Sequence, residues 1–112
     1  MIVSDFTIAI IELEKAEIAR NKGKEGQARV LSRLAASSAI KIYLALKELP
    51  VQPINAYELI LLFSKTPEIP AGLTEILDHL LMKVDENYNL PEGIDLIADV
   101  YQFIKLLESS NE

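Results

Sequence analysis

The chain has no cysteine and a single histidine, His79. Without cysteine there are neither disulfides nor thiolate metal ligands, so a stapled secreted miniprotein is excluded and a reducing, cytoplasmic setting is expected. One histidine falls short of the ligand set of an ordinary zinc site, so neither a metal nor a cofactor is expected. Long apolar runs are missing too. The best candidates are broken by Lys41, Lys47, Glu58 or Lys65, short of the roughly 20 residues a membrane span requires. Met1 to Asp5 carry an acid where a signal peptide needs a basic region, and Glu12 and Glu14 interrupt the stretch after it, so neither a targeting segment nor a membrane partner is expected. No segment shows strand-like alternation between hairpin turns, and there is no internal repeat or low-complexity tract.

What is present is a globular balance: half of the 112 residues are hydrophobic and a quarter charged, enough for one core and one domain over residues 1–112. The net charge of −6 is unevenly spread. Residues 1–56 hold eight Lys/Arg against six Asp/Glu, and residues 57–112 hold three against eleven. All three arginines, Arg20, Arg29 and Arg33, lie close together with Lys22 and Lys24. The acidic total argues against general coating of nucleic acid, which needs many cations, but leaves room for a local anion site.

Apolar residues recur at three- and four-residue steps, the signature of helices. Ser4 or Asp5 can cap a first helix carrying Phe6, Ala9, Ile10, Leu13 and Ile18, which ends near Arg20. Residues 21–26, with two glycines, then read as a short inter-helix turn or a weak kinked continuation of the helix. The second helix, from about Gln27 to Glu48, has one stripe of Ala28, Leu31, Ala35, Ser38, Ile42, Ala45 and Leu49 and another of Val30, Leu34, Ile40, Tyr43 and Leu44. Two stripes predict burial on more than one side, and the small run Ala35-Ala36-Ser37-Ser38-Ala39 lets a neighbouring helix approach closely. Pro50 and Pro53 break it, Asn55 caps a short third helix, a fourth spans about Ala71 to Asp85, and a fifth carries Ile97, Val100, Tyr101, Ile104 and Leu107 before the tail frays from Ser109. The expected fold is all-α: an up-and-down bundle of four main helices plus one short helix, arranged about the long second helix.

Candidate chemistry is sparse. Glu75 and His79 are one turn apart, but carboxylate-bridged metal bundles need two Glu-x-x-His motifs and this chain has one histidine. His79 is therefore a surface residue or, alternatively, a ligand or general acid/base. Asp85, Asn87 and Asn89 imitate the start of a calcium loop, but Leu90 stands where the sharp-turn glycine belongs and Leu96 where the bidentate Glu belongs. The Gly23-Lys24-Glu25-Gly26 segment resembles phosphate-clamping loops without the strands those loops need. A milder possibility stands: Lys24, Arg29 and Arg33, at the start of the second helix, hold an anion. Its alternative is pairing with Glu25 or with the acidic second half, whose Asp78, Asp85, Asp95 and Asp99 need partners.

The stretch from Glu25 through Ala35-Ala36-Ser37-Ser38-Ala39 to Ile40, continued by Leu44-Ala45-Leu46-Lys47-Glu48-Leu49 and a proline break, resembles the central helix of HEPN-like domains. The resemblance implies a helical homodimer acting near nucleotides or RNA, often in toxin–antitoxin or defence systems, or binding a partner protein. Active members carry an Arg and a downstream His separated by four to six intervening residues. Here Thr74, Leu73 and Gly72 occupy those positions before His79. The expectation is therefore a non-catalytic binding module, with a ribonuclease or nucleotide-processing enzyme using His79, Arg29 and Arg33, and a purely structural subunit, as the alternatives.

Overall fold

The spacing of apolar residues is realised as five helices in a computed structural model, which describes residues 6–51, 53–66, 69–70, 72–82 and 93–110. They are α1 (Thr7–Asn21), α2 (Glu25–Leu46), α3 (Ala56–Ser64), α4 (Thr74–Leu81) and α5 (Leu96–Ser110). Among the described residues there is no strand.

Helix ends follow local chemistry. Gly23 takes φ +77° after α1, which lets Lys24 N–H donate to the Ala19 carbonyl and Gly23 N–H to that of Arg20. This is a Schellman closure, which satisfies carbonyls that a bare helix end leaves open. α2 ends in the same pattern, Leu49 N–H to Leu44 and Glu48 N–H to Ala45, with Glu48 at φ +57° where glycine is usual. At the start of α3 the Asn55 side chain accepts from Glu58 N–H at 2.8 Å, the cap expected of it. Phe6 precedes α1 without a side-chain cap; Ser4 and Asp5 lie outside the described residues.

α4 is shorter than the periodicity suggests. Gly72 at φ +91° and Leu73 at the N-cap delay its start to Thr74, and extended backbone at Met82 stops it. The expected Asp85/Asn87/Asn89 turn lies outside the described residues. α5, conversely, stays helical through Ser110, where the expectation was fraying from Ser109. Ser109 and Ser110 hydroxyls bond back to Lys105 and Leu106, and Lys47 Nζ reaches the Ser110 carbonyl.

α2 is the packing axis, touching α1, α3 and α5, with α1 its most extensive partner. α1 buries Ala9, Ala16 and Ala19 and α2 buries Ala28, Ala35, Ala36 and Ala39, so small side chains serve both helices. Ser32 and Ser37 are buried beside them, and their hydroxyls donate to the Ala28 and Leu34 carbonyls. At the other end, Phe63 sits edge-on to Tyr43 and Phe103, centroids 6.0 and 6.3 Å away, joining α2, α3 and α5. Each fully buried Leu, Ile or Phe of this core contributes about 1.5–3 kcal/mol of transfer free energy.

One part of the apolar pattern is left open. Val30 is 62% exposed and Leu34 is also exposed, so the second stripe of α2 is buried only toward Ile40 and Tyr43. α1, α3 and α5 occupy the other sides, and no described helix covers this one.

Candidate functional site

The turn Lys22-Gly23-Lys24 folds α1 back on α2 and forms a cleft between them. Lys15, Ile18, Ala19 and Lys22 of the first arm and Lys24, Gln27 and Leu31 of the second line a space of about 270 Å³. Ala19 contributes no bulk, which leaves the gap between Ile18 and Leu31. Among the described residues none of the three ammonium groups forms an ion pair. The nearest acid of the turn, Glu25, is engaged elsewhere, by Arg20.

Arg20 closes the far side of the turn. Its Nε and Nη2 donate to the two Glu25 carboxylate oxygens at 3.0 and 2.9 Å, and Nη1 donates to Asp95 at 2.9 Å. The fork holds the Glu25 carboxyl below its ordinary range. Partial burial opposes ionisation of Asp95, but Arg20 and the N–H groups of Ala98 and Ile97 outweigh it and depress that carboxyl too. Arg20 therefore ties α1 to the starts of α2 and α5.

Of the residues singled out for anion binding, Lys24 lines the cleft and the arginines do not. Arg29 and Arg33, each two residues from Leu31, fall about 160° around the helix from it. Arg33 is half-buried and donates from Nε to the Leu80 carbonyl at 2.8 Å and from Nη2 to the Met82 carbonyl at 2.9 Å. It caps the negative end of α4, with Tyr57 Oη donating to Leu81 beside it. Burial, and then repulsion from nearby Arg29, lower the pKa of Arg33.

His79 faces α5. Nδ1 lies 2.8 Å from Asp99 Oδ2, and Nε2 lies 3.8 Å from Glu75 Oε1 on its own helix. Both ring nitrogens thus look at carboxylates, and neither at an arginine. No group of three His, Asp or Glu side chains among the described residues is arranged to hold a metal ion.

Lys15 was not singled out from sequence and Lys22 only as part of the basic cluster, although a signal existed. Ile8, Ile11, Lys15, Ile18 and Lys22 alternate at steps of three and four residues, so the lysines continue an apolar stripe instead of interrupting it. This stripe is exposed: Ile8 is 64% accessible and Ile11 and Ile18 are exposed, as are Val30 and Leu34 on α2, which follow the cleft residue Gln27 at steps of three and four. No helix of the described chain is long and apolar enough to cross a membrane. No family model, no curated protein and no solved structure matches this chain.

Proposed function

We propose that the chain is a non-catalytic, HEPN-like binding module, an up-and-down bundle that forms homodimers and engages an anion-bearing partner through the outer face of the α1–α2 hairpin. The observation that carries this reading is the exposure of Ile8, Ile11, Ile18, Val30 and Leu34 on one helix pair. A well-packed single chain has no use for such a row in water, and contiguous exposed apolar surface marks an interface. Lys15, Lys22 and Lys24 in the adjoining cleft supply the preference for anions. The non-catalytic part is supported by the side chains themselves: Arg33 is held on backbone carbonyls, and His79 lies between carboxylates.

The dimer seam is best placed at the shoulder where α2 runs into α3. There a groove of about 350 Å³ is lined by Tyr43, Leu44, Lys47, Leu49, Phe63 and Thr66, and Leu49 and the neighbour of Phe63 in sequence, Leu62, are exposed. The surrounding exposed charges are of both signs, Lys47 and Lys65 against Glu48 and Glu58, so two copies can meet about a two-fold axis without net repulsion. Light scattering at micromolar concentration tests this: the parent is dimeric and Leu49→Asp/Leu62→Asp monomeric. A monomeric parent removes the dimer. For the hairpin face, anisotropy titrations of 5′-AMP and of a short single-stranded RNA into the parent and into Lys15→Ala/Lys22→Ala/Lys24→Ala report on nucleotide-type anions. No binding by the parent excludes those two ligands.

A further inference from the structure

We infer that the outer face of the α1–α2 hairpin is the docking groove for an acidic amphipathic helix of a partner protein. The inference rests on the binding-module reading above and names the occupant of that same face. Its first support is spacing. Ile8, Ile11, Lys15, Ile18 and Lys22 on α1, and Gln27, Val30 and Leu34 on α2, follow the three–four alternation by which one helix meets another. Two antiparallel helices side by side, both open toward solvent, make a furrow that a third helix completes. From Ile8 to Lys22 the furrow is about 21 Å long, the reach of about 14 helical residues. Between Ile18 and Leu31 the cleft deepens to about 270 Å³, room for one or two apolar side chains of the incoming helix.

Charge selects the sign of that helix. Lys15, Lys22 and Lys24 line the cleft and Lys41 stands exposed beyond Leu34, while Glu14 lies at the outer margin. Glu12, the acid between the helices, accepts from the Ser38 hydroxyl and stays anionic, so four lysines stand against two glutamates. The face is thus basic on a molecule of net charge −6. A second copy in two-fold contact here would set lysine against lysine. Single-stranded nucleic acid is disfavoured because the face offers no aromatic ring for a base to stack on and the acidic remainder of the molecule repels a long polyanion. A helix with Leu at three–four spacing and Glu or Asp along its flanks satisfies both the apolar floor and the lysine rim.

The test uses two labelled peptides of about 16 residues with the same Leu spacing, one flanked by Glu and the other by Lys, in anisotropy titrations with the full chain. The acidic peptide is expected to bind at least about tenfold more tightly than the basic one, with the difference shrinking as salt rises. Lys15→Glu/Lys22→Glu/Lys24→Glu reverses the preference, and Ile11→Asp/Val30→Asp, at solvent-exposed positions that leave the circular dichroism unchanged, abolishes both. Equal binding of the two peptides, or preference of the face for phosphatidylglycerol vesicles or RNA, would overturn the acidic helix while keeping the hairpin as a binding surface. If neither peptide, vesicle nor RNA binds, or Ile11→Asp/Val30→Asp binds as the parent does, both the helix and the hairpin reading fall.

Discussion

Removing the Arg33 guanidinium should loosen α4 before anything else. In Arg33→Ala the carbonyls of Leu80 and Met82 lose two N–H donors at 2.8 and 2.9 Å. Hydrogen bonds from a charged donor are worth about 1.5–3 kcal/mol each, but the site is only half-buried and water replaces part of the loss. A net destabilisation of about 2–3 kcal/mol follows. With an unfolding entropy near 2.1 cal/mol/K per residue, that lowers the Tm of a chain this size by about 8–13 °C. Arg33→Lys, a point donor that can reach only one carbonyl at a time, should lie between parent and Ala. Thermal unfolding followed by circular dichroism gives the size of the effect, and hydrogen exchange gives its place. Amides of α4 should lose protection first, because its eight residues are anchored by α3, α5 and this one clamp. If Arg33→Ala melts within about 2 °C of the parent, the arginine is not a helix cap, and its candidacy as a ligand contact reopens.

Three further outcomes follow. Glu25 and Asp95 both have folded pKa values below their unfolded ones, so their contribution is fully present above about pH 4 and disappears as pH falls through the depressed folded values. Arg20→Ala should flatten that acid limb in denaturant melts between about pH 5 and pH 2; an unchanged limb would refute the fork's role. Glu48→Gly relieves a side chain at φ +57° and should stabilise by about 0.5–1 kcal/mol in urea unfolding, whereas a loss would show that the Glu48 side chain does more than strain the turn. Ala36→Leu inserts bulk where exposure is 0% and should cost about 1–3 kcal/mol, with the urea midpoint as readout; a neutral result would mean that the alanine contact is looser than described.

Much of the fold was legible because burial leaves a period in the sequence. Ala28, Ala35 and Ala39 on α2, Leu59 and Phe63 on α3, and Val100, Ile104 and Leu107 on α5 repeat at helical steps, and all are buried. Asn55 was legible as a cap because its partner is three residues away. The extent of α4 was not, because its ends depend on a positive φ at Gly72 and on Arg33, which reaches Leu80 and Met82 across a separation of 47 and 49 residues. The same non-locality divided the anion-binding set. Lys24, Arg29 and Arg33 are neighbours in sequence, but α1 packs on one side of α2 and α4 meets Arg33 elsewhere around it. Periodicity also hid the exposed row, since Val30 and Leu34 look the same in sequence whether a helix covers them or not.

The brevity of the turn between α1 and α2 has a kinetic consequence. The most extensive contact among the described helices is closed by residues 22–24 alone, so little chain entropy opposes it. Contacts this local form early, on a timescale of microseconds, whereas Arg20 meets Asp95 only across a separation of 75 residues. A growing chain can thus assemble its first two helices once α2 has emerged, long before α5 exists to latch them. During that interval the hairpin shows solvent both its inner alanine-rich side and its outer isoleucine row. An acidic helix of the kind proposed for the outer row would find it open already at that stage, before α5 is made.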